Sequence, residues 1–333
     1  MSASIIKGSE IAEQIREELR TEIAALKEKG ITPGLAVVLV GEDPASQSYV
    51  RMKGKACEDL GLFSQTIIRP ADTSEDELLS LIDSLNADPR IHGILVQLPL
   101  PKHIDENKVI LRIDPDKDVD GFHPINVGKM LIGEPGFLPC TPHGIQEMLV
   151  RSGNDPEGKH VVVVGRSNIV GKPVAAILVQ KKKGANATVT LAHSRTKDLA
   201  SITRMGDILV AAIGSPELIK ADMVKEGAVV IDVGSNRIED PSAKKGYRWV
   251  GDVDFENVKE KASAITPVPG GVGPMTIVML MKNTVLSASR SAGVTPGQGR
   301  AAASKRPRPP VLASNVPRAV WSMSMKTFKH TIP

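Results

Sequence analysis

The first residue in this sequence that could do chemistry is a lysine among apolar neighbours. In SYVRMKGKACEDLGL (48–62), three- and four-residue spacing puts Tyr49, Met52, Lys53, Ala56, Cys57 and Leu60 on one helical face. Lys53 therefore falls on a largely apolar stripe, while Arg51 and Lys55 point elsewhere. A lysine held partly out of water has a lowered pKa and can carry protons near neutral pH. Tyr49 lies one turn earlier, within hydrogen-bonding reach. On spacing alone the plainer reading is a lysine that snorkels from the edge of the stripe. Cys57 reads as a small core residue, since no cationic partner stands beside it. Gln97 closes GILVQL (93–98), at the carboxyl edge where α/β proteins bind ligands, and offers both a donor and an acceptor; a surface cap is the alternative. Asp118 and Asp120 flank Val119 in DVDG, so alternation sends one towards a pocket and the other towards solvent. An aspartate there can accept two N–H bonds from an amino-heterocycle; the alternative is an acidic turn. The seven histidines show no metal-ligand spacing, so no metal is expected.

A second candidate is VVVVGRSNIVGKP (161–173), a β-branched strand followed by a glycine, polar residues, a second glycine and a proline. Glycine there lets backbone N–H groups approach a pyrophosphate, and the following helix N-terminus adds partial positive charge. The spacing is Gly165 to Gly171, not G-x-G-x-x-G, and a turn of this kind also occurs without a ligand. The next strand, ending TLAHSRTKD, sharpens the reading. An NAD site usually carries an acidic residue at that tip for the ribose 2′-hydroxyl. Here His193, Ser194, Arg195 and Thr196 come first, with no carboxylate before Asp198. Arginine and hydroxyls suit a 2′-phosphate, so a dinucleotide here would be NADP.

Elements must position these groups. Residues 9–30 carry an apolar helical stripe closed by Gly30; 35–41 reads as a buried strand, 48–61 as a helix closed by Gly61, and 65–69 as a strand. Ser74 and Glu77 form a capping box for a helix to Leu85, and 93–98 is the next strand. A long proline-broken connection follows, and Thr141-Pro142 caps a further helix. Strands at 161–165, 187–192, 207–214 and 228–234, with a helix over 171–181, make a second α/β unit. The Gly/Pro-rich loop 266–274 precedes an apolar helix that returns to the first unit. The expectation is two α/β domains, each with a parallel sheet and a cleft between them: 1–142, together with the returning helix 274–288, and 143–271.

With 333 residues, 41% apolar and 24% charged, the chain is sized for two globular domains. Two cysteines cannot build a disulfide framework, which points to a reducing compartment. The opening residues show no signal-peptide pattern, and no apolar run reaches the roughly 20 residues of a membrane span. Cytoplasmic location and no membrane association are expected. The net charge of +4 comes from the last segment, since Ala288 onward holds eight Lys/Arg and no acid. The body alone has 34 basic and 38 acidic residues, so it has no bias towards nucleic acid. Residues 291–333 are Pro/Arg/Ala/Ser-rich and read as a disordered basic tail. A nucleic-acid-binding protein is a competing class, supported by that tail alone.

Together the stretches SYVRMKGKACEDLGL, GILVQLPLP, DKDVDGFHPINVG, PCTPHGI, VVVVGRSNIVGKP, GDILVAAIG, GAVVIDVG and TPVPGGVGPMT resemble the bifunctional methylenetetrahydrofolate dehydrogenase/methenyltetrahydrofolate cyclohydrolase (FolD) family over about residues 5 to 287. The resemblance implies an N-terminal folate-binding catalytic domain, a C-terminal Rossmann-type NADP domain, tetrahydrofolate substrates and a homodimer. It makes Lys53 the catalytic lysine with Tyr49 beside it, Gln97 the residue that tunes it, and Asp120 the pterin anchor. It implies a substrate cleft that also uses Leu98, Pro269, Gly270, Gly271, Val272 and Gly273. NADP would meet Gly165, Arg166, Ser167, Val170, Gly171, Pro173, Ser194, Arg195, Gly214 and Ser235. Ser235 departs from the family, which commonly has isoleucine there, and the tail has no family counterpart. A dehydrogenase without the hydrolase step is the alternative; intact Tyr49, Lys53 and Gln97 argue against it.

Overall fold

The computed structural model describes residues 2–243 and 246–293. The expected basic tail lies, apart from its first three residues, outside them. The first half runs β1 (Ser4–Ile5), α1 (Gly8–Lys27), β2 (Gly34–Val40), α2 (Pro44–Leu60), β3 (Phe63–Arg69), α3 (Glu75–Ala87), β4 (Gly93–Val96), α4 (Glu106–Arg112), α5 (Pro124–Ile132) and α6 (Cys140–Arg151). The second half runs β5 (His160–Val164), α7 (Gly171–Leu178), β6 (Thr188–Ala192), α8 (Leu199–Thr203), β7 (Ile208–Ala211), β8 (Val229–Asp232), β9 (Asn236–Glu239), β10 (Tyr247–Val250), α9 (Phe255–Val258), β11 (Ala264–Ile265) and α10 (Val272–Ser291).

Two parallel sheets result. The smaller has order β3-β2-β4; all seven residues of β2 are buried, as expected of a strand covered on both faces. The larger has six parallel strands in the order β1-β11-β8-β7-β5-β6. Strand order reverses beside β5, with β6 on one side and β7 on the other, which makes the crevice above it the natural ligand site of a doubly wound sheet. β9 and β10 form a separate antiparallel hairpin. β1 is an edge strand of the larger sheet, paired with β11, so the start of the chain joins the C-terminal half. α10 packs on α6, α1 and α2 and reaches β2 and β4.

Local chemistry explains the boundaries. Asp43 caps α2 by accepting the Ser46 N–H (2.7 Å), Pro44 takes the first turn, and Gly61 closes it at φ 69°. The Ser74/Glu77 capping box is present at α3. Three expectations need correction. The connection after β4 contains α4, capped by Asp105, and α5, capped by the His123 side chain with Pro124 behind it; the prolines start or separate helices here and do not abolish them. Thr141 caps nothing: α6 begins at Cys140 after Pro139, and the Thr141 hydroxyl bonds that of Thr276 (2.7 Å), joining α6 to α10. β4 ends at Val96, so Gln97 stands one residue past the strand.

Candidate active site

α2 presents Lys53 inward. The buried stripe of this helix is Ser46, Val50, Lys53, Ala56, Cys57 and Leu60, and Lys53 is 8% exposed. Lys53, Ala56, Cys57 and Leu60 are buried as the spacing implied, whereas Tyr49 and Met52 are 39% and 44% exposed and Val50 takes the inner place. Tyr49 stands one turn from Lys53 at the rim, with no hydrogen bond to it among the described residues. The Lys53 Nζ donates to Gln97 Oε1 at 2.8 Å. Gln97 Nε2 in turn donates to the Leu98 carbonyl at 2.8 Å, which fixes the amide with its oxygen towards the lysine. Burial lowers the Lys53 pKa, opposed by the negative charge of Asp120. Burial raises that of Asp120, opposed by Lys53. A lysine beside a neutral amide, in a poorly solvated place, can lose its proton far more readily than one in water.

The two aspartates of DVDG do different work, and neither simply faces solvent. Asp118 is 2% exposed; its carboxylate accepts the N–H groups of Phe122 (3.3 Å) and His123 (2.8 Å) and the Asn126 amide (2.9 Å). Burial pushes its pKa up to about 6. Asp118 thus shapes the turn, and Asp120 is the aspartate coupled to Lys53. The alternating pattern misled because this segment is a turn through Gly121, at φ 76°. Cys140 sits against Asp120 and donates to the Val119 carbonyl (3.4 Å); burial raises its pKa well above that of a free thiol. Cys57, also buried, is pushed up to about 11 and touches Met281, so neither thiol is a nucleophile. No cluster of metal-ligating side chains occurs among the described residues.

Pro269, Gly270, Gly271, Val272 and Gly273 form the turn into α10, with Pro269 and Gly273 exposed and Gly271 and Val272 buried. The Gly270 carbonyl accepts the Ser9 N–H at 3.2 Å, so the start of α1 backs this loop.

The second constellation lies at the carboxyl ends of β5 and β6. Gly165 has φ 121°, and a Cβ there would sit 1.9 Å from the Ala212 carbonyl oxygen. A Cβ on Gly171 would sit 2.0 Å from the Gly165 oxygen. The G-x5-G spacing therefore closes a loop too tight for any side chain at either end. Ser167 Oγ accepts the N–H groups of Val170 (3.1 Å) and Gly171 (3.3 Å), leaving its own O–H free to donate outward. Pro173 is buried in the first turn of α7. Arg166 lies 3.5 Å from His193 Nε2, and the Arg195 N–H donates to His193 Nδ1 at 3.1 Å, so the imidazole joins both arginine segments. Arg166, Ser194 and Arg195 are exposed. Asp198, the nearest acid, spends its carboxylate on Ser201 at its own helix start. The donor set is thus cationic and hydroxylic, as a phosphorylated ribose requires. Gly214 and Ser235 are both exposed, on the loops after β7 and β8.

A model of the tetrahydrofolate dehydrogenase/cyclohydrolase catalytic domain matches residues 6–120, and one of the NAD(P)-binding domain matches residues 139–292. The chain belongs to this family, the FolD family. The bifunctional protein FolD of Dehalococcoides mccartyi (strain CBDB1) is 63% identical over 296 residues, spanning 88% of this chain and 99% of the relative. The crystal structure of FolD from Campylobacter jejuni matches with TM-score 0.82 and 49% identity, covering 87% of this chain and 100% of that one. Trypanosoma brucei FolD, complexed with NADP and an inhibitor, matches with TM-score 0.83 and 43% identity, covering 88% and 99%. The FolD architecture of a catalytic domain and an NAD(P)-binding domain accounts for both constellations. No helix among the described residues is long and apolar enough to cross a membrane.

Proposed function

We propose that this chain oxidises 5,10-methylenetetrahydrofolate with NADP+ and hydrolyses the resulting 5,10-methenyl cation to 10-formyltetrahydrofolate. Membership of a family of bifunctional dehydrogenase/cyclohydrolases supports both steps. The observation that carries the hydrolytic step is the buried Lys53 amine held at 2.8 Å by a neutral glutamine. The bound dinucleotide supplies the hydride acceptor. Everything else falls to the chain. Asp120 accepts hydrogen bonds from the pterin ring, and Tyr49, Leu98 and residues 269–273 enclose the substrate. Gln97 orients the Lys53 amine. Water adds to the electrophilic methenyl carbon, and its proton passes to neutral Lys53, which returns a proton to the ring nitrogen as the ring opens. Gly165, Arg166, Ser167, Val170, Gly171 and Pro173 form the turn for the pyrophosphate, Ser194 and Arg195 meet the 2′-phosphate, and Gly214 and Ser235 border the nicotinamide.

In this reading residues 1–142 with 274–288 are the folate domain and 143–271 the NADP domain, except that β1 adds an edge strand to the sheet of the second. The protein acts in the cytoplasm as a homodimer and feeds one-carbon units to purine, histidine and methionine synthesis. Mixing it with 5,10-methylenetetrahydrofolate and NADP+, with NAD+ in parallel, tests the assignment. Rapid NADPH formation with methenyl loss faster than the spontaneous rate is expected. Lys53→Ala should abolish the accelerated loss; undiminished hydrolysis in that variant ends the assignment of Lys53.

A further inference from the structure

Two buried aspartates belong to neither constellation. Asp252, just after β10, is 0% exposed. Its Oδ2 accepts the N–H groups of Ile213 (2.6 Å) and Gly214 (2.9 Å). Its Oδ1 accepts the Ser215 N–H (3.0 Å) and the Asn236 amide (2.9 Å). Asp232, at the end of β8, holds Asp252 in turn: its Oδ1 accepts the N–H groups of Asp252 and Gly234, each at 2.9 Å, and its Oδ2 that of Val253 at 3.0 Å. The fit is tight, since a Cβ on Gly251 would lie 1.7 Å from Asp232 Oδ2.

The donors demand a carboxylate at 252. Both oxygens face N–H groups, and a carboxylate accepts on both sides while donating nothing. An asparagine in either orientation would turn its NH2 against two of those donors. A buried donor left without an acceptor is costly, so the 213–215 backbone would move. These residues and Asn236 follow β7 and β8. Those strands lie across the switch point from β6, whose tip carries Ser194 and Arg195. A dinucleotide spans such a crevice with one mononucleotide on each side. Because the arginines and hydroxyls stand on the β5–β6 side, the nicotinamide half falls to the loops that Asp252 ties together.

We infer that Asp252 is a positioning residue for the nicotinamide half of NADP: it locks the 213–215 loop against Asn236 so that the two form a preset wall. This rests on the NADP reading above. The test is calorimetric titration of Asp252→Asn and of the parent protein with NADP+ and with 2′,5′-ADP, which carries only the adenosine half. Tenfold or greater weakening of NADP+ binding is expected, with 2′,5′-ADP binding changed less than twofold. Methenyl hydrolysis assayed without dinucleotide, and the melting temperature, report whether the variant is folded. Unchanged NADP+ affinity overturns the inference. So does equal weakening of both ligands, which would make Asp252 a general structural residue. Should Asp252→Asn not fold, Asn236→Ala decides: it keeps the carboxylate, removes one of its donors, and should weaken NADP+ severalfold while sparing 2′,5′-ADP. If the parent protein binds neither ligand, the cofactor reading itself fails, and the inference with it.

Discussion

Replacing Gln97 by glutamate changes one atom group and reverses the electrostatics around Lys53. In the parent, a neutral oxygen accepts from the amine at 2.8 Å, and the amide's other end is pinned on the Leu98 carbonyl. In Gln97→Glu a carboxylate takes that position. At an effective dielectric of about 20, opposite unit charges about 4 Å apart attract by about 4 kcal/mol. Taking roughly 2–3 kcal/mol after solvent relaxation, and allowing for the charge Asp120 already contributes, the protonation equilibrium moves by about a hundredfold towards the ammonium form. The sign is fixed: an added negative charge raises the lysine's pKa, so the neutral base becomes scarcer at any given pH. Methenyl hydrolysis at pH 7.5 should fall about a hundredfold and recover as the pH rises, so the ascending limb of its profile shifts to higher pH. Hydride transfer does not need the neutral amine, so NADPH should still form while methenyl product accumulates. Absorbance records of both species from pH 6 to 9 make the comparison. Hydrolysis within threefold of the parent, with an unshifted profile, would refute the argument that Gln97 keeps Lys53 ready to lose its proton.

Gly171→Ala places a methyl 2.0 Å from a backbone oxygen that cannot rotate away. At about 1–3 kcal/mol for such overpacking, NADP+ binding by calorimetry should weaken about tenfold to a hundredfold, with hydrolysis of added methenyl substrate retained. Burial and the charge of Lys282 push the His143 imidazole down from 6.5 to about 4. A depressed folded-state pKa contributes stability above about 6.5 that is lost as the pH falls through about 4, worth roughly 3 kcal/mol. Asp118 and Asp232, both raised to about 6, act in the opposite sense, their contribution being lost as the pH rises through that value. Urea unfolding of His143→Gln against the parent isolates the imidazole: the variant should lose less stability between pH 6.5 and 4, and identical slopes would exclude His143. Asn283→Ala removes the amide that donates to the Val119 and Leu138 carbonyls, bonds of 2.8 and 3.0 Å, and leaves Val119 only the longer Cys140 contact. It should cost about 1–3 kcal/mol in urea and lower both activities together, since it loosens the turn that carries Asp120.

What the sequence disclosed was whatever depended on near neighbours. The valine run of β5, the Ser74/Glu77 box and the terminal Gly61 act within a few residues, and they stand in the structure as read. The face of α2 was read correctly at Lys53, Ala56, Cys57 and Leu60 but not in its first turn, where Val50 is buried in place of Tyr49 and Met52, a choice that only tertiary packing makes. β1 is two exposed residues whose pairing partners lie some 260 positions away, and nothing local marks such a strand. The Lys53–Gln97 bond joins positions 44 residues apart, yet each was visible separately, one as a lysine on an apolar face and one as a polar residue closing a buried strand. Asp252 gave no comparable sign. Three of its four partners are backbone N–H groups, which every residue but proline carries, so their convergence is a property of the fold alone.

α10 explains how one chain can hold two reactive constellations in register. Its first residues, Val272 and Gly273, are the end of the glycine loop, and that loop is pressed from behind by α1, where a Cβ on Gly8 would lie 1.9 Å from the Gly271 oxygen. Three turns on, Asn283 holds the carbonyl next to Asp120, and one turn further Ser287 donates to the Asp116 carbonyl at 2.8 Å. The loop and the DVDG turn are therefore fixed to the same helix, whose hydrogen-bonded backbone is stiff at this length. The other end of the loop begins at Thr266, whose hydroxyl accepts the N–H of Asp232 at 2.8 Å. The glycine loop is thus anchored on one side to the helix that steadies Asp120 and on the other to β8, whose Asp232 holds Asp252. Thr266 is one direct link from the dinucleotide side to the glycine loop, beside the packing of α7 on α5 and α6. The two activities should for that reason separate under substitution in the β5–β8 loops and fail together under substitution along α10.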